Sequence, residues 1–428
     1  MAAASRQTLS RADNAWLQLE QPDNLMTISG IMSCRKPVDF LLLKELIEDK
    51  LMCHERFRQR IVESRLPFGR PNWQEGEDFA LSHHLHRVEL PEPAGKTALE
   101  EMVGDLLSSP LDHSQPLWQI HFLENYNGGS AIIYRVHHAV GDGLSLIRIL
   151  LEMAGGAEPA ETPLHDSLES LIRPAKVLEL AETSGFGART LTRLITTRSD
   201  RDSVFRGKLL VEKKVAWSQP ISLARIERVT KRLGSTIHDG VLSSLAGALG
   251  YYLEQRGAET RDLRLRAVTP INLRPPEAPV LGNRFGMIIV DLPVGIDDPE
   301  ARLGEVAASL ARLRESPDSV VLFGAFPAPG MTTSELEERA LRLLGKKATA
   351  VVTHVAGPRG PIHLCGQEVY DLLHWVPMAG SLGLGLSVVS YNKRVQLGVT
   401  TDAGLVPDPQ TIVTGFELSL DELAELGA

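Results

Sequence analysis

A chain of 428 residues is too long for one hydrophobic core and divides most economically into two domains of roughly 200 residues each. Its 43% hydrophobic and 23% charged residues suit a globular enzyme, and a net charge of −9 gives no general attraction to nucleic acid. Cys34, Cys53 and Cys365 are widely spaced without a C-x-x-C pair, which argues against a disulfide framework and a zinc site and points to buried, reduced thiols. No apolar run approaches the ~18 residues of a membrane span and no basic-then-apolar leader opens the chain. The expectation is a cytoplasmic protein, with any membrane contact peripheral.

In chain order, Asp13 to Trp16 opens an early segment and Leu25 to Met32 reads as a strand. Pro37 precedes a helix over Val38 to Met52, where Leu41, Leu42, Leu43, Leu46, Ile47 and Leu51 recur at helical spacing and predict one buried face. The stretch Arg56-Phe57-Arg58-Gln59-Arg60 reads as a solvated basic turn, the alternative being a phosphate site. A second helix covers Lys96 to Leu107, Pro110 to Pro116 interrupts, and Leu117 to Leu123 is a strand.

The strand from Ile132 to His138 carries the main argument. Successive strand side chains point to opposite faces, so Tyr134, Val136 and His138 share one face while Ile133, Arg135 and His137 share the other. Both histidines can enter one site only if the strand ends between them. After the Gly141-Asp142-Gly143 turn, Leu144, Ile147, Leu150 and Leu151 form a helical stripe ending at Gly155-Gly156. The two histidines and Asp142 thus stand at a strand-to-helix junction, where a rigid scaffold can hold reactive groups.

From Glu158 to about Pro220 the composition changes, and between Arg189 and Lys214 eight Lys or Arg face three acidic residues. This reads as an inter-domain crossover with short helices, its basic face solvated or resting on phosphates or an anionic membrane. In the second half, helices are expected at Ser222 to Leu233, Thr236 to Arg256, Pro299 to Leu313 and Ser334 to Leu344. Strands are expected at Arg264 to Asn272, Phe285 to Leu292, Ala350 to Val355, Glu368 to Trp375, Leu384 to Ser390 and Val395 to Thr401. The mixture predicts two α/β domains with mixed sheets and flanking helices, an N-terminal one over 1–157, a crossover over 158–220 and a C-terminal one over 221–428. A cleft between them is the natural place for a site.

The motif His137-His138-x-x-x-Asp142-Gly143 resembles the HHxxxDG signature of coenzyme A-dependent acyltransferases of the chloramphenicol acetyltransferase type, which include peptide-synthetase condensation domains. Further landmarks make the chain similar to the bacterial wax ester synthase/diacylglycerol acyltransferases: Pro116-Leu117-Trp118, Pro270-Ile271-Asn272-Leu273-Arg274, Gly282-Asn283, and Ser390-Tyr391-Asn392 leading to Asp402 and Val406-Pro407-Asp408-Pro409. The pattern departs at two places. His238-Asp239 stands where the family usually shows Asn-Asp, and His354-Val355-Ala356-Gly357-Pro358 where it usually shows Asn-Val-Pro-Gly-Pro.

The resemblance implies chloramphenicol acetyltransferase-like domains with the site at their interface, and transfer of a fatty acyl group from acyl-coenzyme A to a fatty alcohol or diacylglycerol. It assigns the general base to His138, with His137 as a neighbour shaping the entrance. The chemistry agrees, because a neutral imidazole with pKa near ~6.5 can take the proton of an attacking hydroxyl, and activity should then decline around or below that pH. Neither a metal nor a cofactor is called for; acyl-coenzyme A is a substrate. No Ser or Cys stands at a G-x-S-x-G elbow, so a covalent acyl-enzyme is not expected. Asp142, between Gly141 and Gly143, reads as structural, accepting backbone N–H groups or pairing with Arg274. Asn283 is a candidate oxyanion donor or substrate-orienting group, or else a turn residue. Pro116, Leu117 and Trp118 read as tunnel wall or core, and His238-Asp239 as helix packing. Two other readings stay open: a condensation-type enzyme with a carrier-bound donor, and a non-catalytic lipid-binding protein.

Overall fold

The computed structural model describes residues 7–64, 69–76, 78–155, 196, 199–272, 281–283, 285–315, 321–322, 343, 345–378 and 380–427. The first half contains α1 (Arg11–Leu19), β1 (Thr27–Cys34), α2 (Phe40–Leu46), β2 (Leu85–Val88), α3 (Lys96–Ser108), β3 (Trp118–Leu123), β4 (Ser130–His137) and α4 (Gly143–Met153). The second contains β5 (Lys213–Trp217), α5 (Leu223–Arg232), α6 (Ile237–Glu254), β6 (Leu265–Asn272), β7 (Phe285–Leu292) and α7 (Pro299–Glu315). It continues through β8 (Ala350–Ala356), β9 (Gln367–Trp375), β10 (Leu384–Tyr391), β11 (Arg394–Asp402) and α8 (Pro409–Glu425). The expected helix at Ser334 to Leu344, Arg274 and most of the crossover lie outside the described residues.

Two mixed sheets organise the chain. The first runs β9-β1-β4-β3-β2, antiparallel except for the parallel β2–β3 pair, with a short strand His363–Leu364 beyond β9. The second runs β7-β6-β8-β10-β11-β5, with β8 parallel to both β6 and β10. Residues of β6, β8, β10 and β11 form one apolar core with α6 and α8. Local signals explain the helix starts: Ser10 accepts from Asp13 N–H, Asp39 from Leu41 and Leu42 N–H, and Thr236 with Asp239 closes a capping box. Helix α8, which the sequence reading did not place, begins with Pro409 in its first turn.

Three expectations need correction. Strand β9 pairs antiparallel with β1, Trp375 against Ser29 and Val369 against Cys34, so residues 367–375 belong to the N-terminal sheet and 221–428 is not a closed unit. Likewise β5, placed in the crossover, is a strand of the second sheet, and Lys213 within it makes a buried 2.8 Å ion pair with Asp402. The Val38 to Met52 segment buries Leu43, Ile47 and Leu51, but Leu41 is 66% and Leu42 51% exposed, because at ~100° per residue both point away from the face of Leu43; the backbone then passes into a π-helical turn from Ile47 to Leu51.

Candidate active site

Strand β4 pairs with β1 from Ser130↔Cys34 to His137↔Thr27, and every residue of both strands is buried. Alternation ends at His137, the last residue of β4. His138 N–H still donates to the Met26 carbonyl (2.8 Å), but its ring turns to stack on Trp16, with centroids 3.9 Å apart and planes inclined by 17°. The strand therefore does end between the two imidazoles, and each has its own surroundings.

The ring of His138 is oriented from the other half of the chain. Asn283 Nδ2 lies 2.8 Å from Asp13 Oδ1 and 2.7 Å from the His138 carbonyl oxygen, both acceptors, which identifies the amide nitrogen. Asn283 Oδ1 then faces His138 Nδ1 at 2.9 Å and must accept from it. The proton of a neutral His138 is thereby held on Nδ1, and Nε2 carries the lone pair. Asp13 is buried, accepts from Asn283 on one oxygen, and lies 3.4 Å from Arg56 Nη1 on the other. Arg56, expected in a solvated turn, instead reaches inward across the Trp73 ring, 4.3 Å from its centroid.

His137 takes the opposite tautomer. Its Nδ1 accepts from Ala139 N–H (3.0 Å), which puts the ring proton of the neutral form on Nε2. Nε2 lies 3.1 Å from Glu20 Oε2 but off the N–H axis, so the contact is an electrostatic approach more than a directed hydrogen bond. Glu20 also accepts from Met26 N–H (2.9 Å) and contacts His113 Nε2 at 3.0 Å. Burial raises the Glu20 pKa, but the contacts to His113 and His137 outweigh it and hold the carboxyl well below the usual range. The same contact raises His113.

Asp13, Trp16 and Glu20 stand at i, i+3 and i+7 on one face extended from α1. One helix face thus supplies the carboxylate behind Asn283, the ring against His138 and the carboxylate beside His137. The spacing was visible in the sequence, and two acids on an otherwise inward-facing stripe were the available signal.

Asp142 caps α4, its Oδ1 accepting from Ser145 N–H (3.0 Å) and Ser145 Oγ (2.5 Å), and Gly143 is the first helical residue. Gly141 bridges to Gly282, and Asp142 N–H points to the Gly282 carbonyl at 3.4 Å, so the turn docks on the segment that delivers Asn283. Gly282 adopts φ +112°, a conformation side chains resist, and a Cβ on Gly141 would press to 3.2 Å against Leu281. Burial lowers the His138 pKa to about 4, against the opposing charge of Asp142 and the contact with Asn283. The expected acid limb near ~6.5 is corrected downward for that reason.

Asn283 as an oxyanion donor is also corrected, because both amide N–H groups are already engaged. Pro116, Leu117 and Trp118 are buried; Trp118 Nε1 donates to the Phe57 carbonyl (2.8 Å) and its ring stacks on His84. Trp118, Tyr134, Val136, Leu146 and Leu150 line a small apolar cavity of about 20 Å³ behind the strand. Where α6 packs on the second sheet, His238 meets His354 across 116 residues of sequence, with Nδ1 atoms 2.7 Å apart.

Residues 9–175 match the wax ester synthase/diacylglycerol acyltransferase catalytic domain, and residues 281–424 match the WS/DGAT C-terminal domain. The chain belongs to this family. Its activity is that of an acyl-coenzyme A-dependent O-acyltransferase. A Mycobacterium tuberculosis relative named a probable diacylglycerol O-acyltransferase is 25% identical, covering 98% of this chain and 96% of its own. A Mycobacterium bovis relative named a putative diacylglycerol O-acyltransferase is 27% identical over 96% of this chain and 98% of its own. Among solved structures, the wax ester synthase/diacylglycerol acyltransferase of Marinobacter aquaeolei VT8 superposes with a TM-score of 0.72 at 21% identity, covering 98% of this chain and 99% of that one. The first condensation domain of the calcium-dependent antibiotic synthetase gives 0.66 at 15% identity, covering 99% and 96%. These likenesses establish the two-domain α/β fold of the family.

Proposed function

We propose that the enzyme transfers a fatty acyl group from acyl-coenzyme A to a long-chain alcohol or a diacylglycerol, with His138 as general base, no covalent acyl-enzyme and no cofactor. The observation that carries this reading is the Asp13–Asn283–His138 chain, which holds the imidazole proton on Nδ1 and leaves the basic lone pair on Nε2. Nε2 takes the hydroxyl proton as the alcohol oxygen attacks the thioester carbonyl. The tetrahedral intermediate collapses by breaking the C–S bond, and the imidazolium returns the proton to the departing thiolate.

A base with pKa near 4 is unprotonated at neutral pH, and its conjugate acid is strong enough to protonate a thiolate whose ordinary pKa is about 8.5. Burial disfavours a nucleophilic role for two of the cysteines, pushing Cys34 up to about 12 and raising Cys365. Among the described residues no helix is long and apolar enough to cross a membrane, and peripheral contact with a lipid surface remains part of the proposal.

Replacing His138 by Ala should abolish release of coenzyme A thiol from palmitoyl-coenzyme A and hexadecanol. Near-normal turnover by a folded variant would remove the mechanism. Supplying the same acyl group on a carrier protein separates this reading from a condensation-type reaction, and a panel of alcohols and diacylglycerols identifies the acceptor.

A further inference from the structure

At the end of the N-terminal sheet far from His138, two hairpin tips and the end of β1 enclose a cleft of about 480 Å³. Its lining includes Arg35 and Lys36 after β1, His363 and Tyr370 around β9, and Arg394 at the start of β11. Cys365-Gly366 and Asn392-Lys393 turn the hairpins with positive φ at both residues, a tight geometry that fixes where each tip sits. Because Thr27 pairs with His137 and Cys34 with Ser130, seven strand residues at ~3.3 Å each place the cleft roughly 23 Å from the His137 end of β4.

The charges here are arranged for a guest. The Arg35 guanidinium lies 3.8 Å and that of Arg394 4.7 Å from the centroid of the same Tyr370 ring, and Arg394 Nη2 also donates to the Tyr370 carbonyl (3.0 Å). The ring and carbonyl hold two like charges around one aromatic group, with Lys36 beside them. Among the described residues none of these three cations has a carboxylate within 4.0 Å, and Glu368 is the one acid in the lining. Such a group is stabilised by an anion able to accept from several donors at once, and planar guanidiniums suit phosphate oxygens. The surrounding protein carries a net charge of −9, so the cluster is a local reversal of the general field.

We propose that this cleft binds a phosphate group on a ligand, carried either by the nucleotide end of coenzyme A or by a phospholipid head group. The assignment is independent of the chemistry at His138. Three probes separate the sources: inorganic pyrophosphate, coenzyme A, and phosphatidylcholine vesicles with and without phosphatidylglycerol, each titrated against the full chain. The cleft variant is Arg35→Glu with Lys36→Glu, both at exposed positions. A control, Arg228→Glu with Lys231→Glu, makes the same change in net charge on the exposed face of α5.

The expected result is binding of at least one probe that weakens tenfold or more in the cleft variant and is unchanged in the control. Tyr370→Ala, which keeps every cation but removes their platform, should weaken it several-fold. Loss confined to coenzyme A and pyrophosphate identifies the nucleotide, and loss confined to anionic vesicles identifies the head group. No binding of any probe, equal binding by wild type and cleft variant, or equal loss in the control would overturn the proposal.

Discussion

His137 and His138 are adjacent in sequence yet take their partners from different quarters, whereas His238 and His354 stand 116 residues apart and share a hydrogen bond. In the first pair the strand ends between the rings, and the Ala139 N–H and Asn283 set them in opposite tautomers. In the second, rings stacked 4.5 Å apart bring two Nδ1 atoms together, so one must carry a proton and the other accept it. His354 Nε2 continues to Ser390 Oγ at 2.9 Å. Both positions are those at which the family usually shows Asn, so two separate departures in sequence are one paired feature in space. Adjacency along the chain divided two roles; distance along the chain concealed one.

The comparison is tested most strongly at Asn283. Its replacement by Ala removes the acceptor that holds the His138 proton on Nδ1, and kcat should fall on the order of 10²–10³-fold with a smaller change in KM. Thiol release at saturating substrate measures this, and a near wild-type rate would show that the ring orients itself.

At the second pair, His354→Ala leaves His238 Nδ1 buried without its partner and should destabilise the fold by about 2–4 kcal/mol in urea unfolding while sparing kcat. The double change His238→Asn with His354→Asn should cost less than the two singles summed, with a coupling of about 0.5–3 kcal/mol. Additive losses would mean that the two rings act separately.

Acid should next separate stability from turnover. Burial lowers His138, His354 and His374 to about 4 and His121 to about 3, so all are neutral when folded. Between the ordinary value of about 6.5 and those lowered values, the unfolded chain binds protons that the folded chain does not. Stability is therefore complete above about pH 6.5 and falls with pH below it, His354 alone accounting for on the order of 3 kcal/mol at about 1.4 kcal/mol per pH unit. Turnover by the folded fraction should stay flat to about pH 5 and fall toward 4. Thermal melts and initial rates over the same buffers would share one midpoint if the loss of turnover in acid were unfolding alone.

The smallest effect is expected at Glu20. Glu20→Gln keeps the contacts' shape but removes the charge beside His137 and His113, costing about 1 kcal/mol, which is less than tenfold in rate. A loss as large as that at Asn283 would place His137 in the chemistry itself.

Local patterns made much of this molecule legible. Period-2 and period-3.6 runs located β6, β7, α6 and β11 to within a residue or two at most ends, and the strand-turn-helix around His138 followed from alternation and the two glycines. Other features were hidden. Helix α1 read only as an early segment, because two of its inward residues, Asp13 and Asn14, are polar, and nothing local states that Asp13 will meet Asn283 across 270 residues. Arg56 looked like any surface arginine until Asp13 and Trp73 enclosed it.

By itself the sequence singled out the groups proposed to react, the strand and turn that present them, and the α/β class, because these depend on side-chain chemistry and backbone periods within a dozen residues. Only the tertiary structure decided which nitrogen of His138 carries its proton and that Asn283 has no donor left for an oxyanion. It also decided that β9 completes the first sheet and that the two displaced histidines are partners. Each of those depends on long-range pairing, which no local pattern encodes.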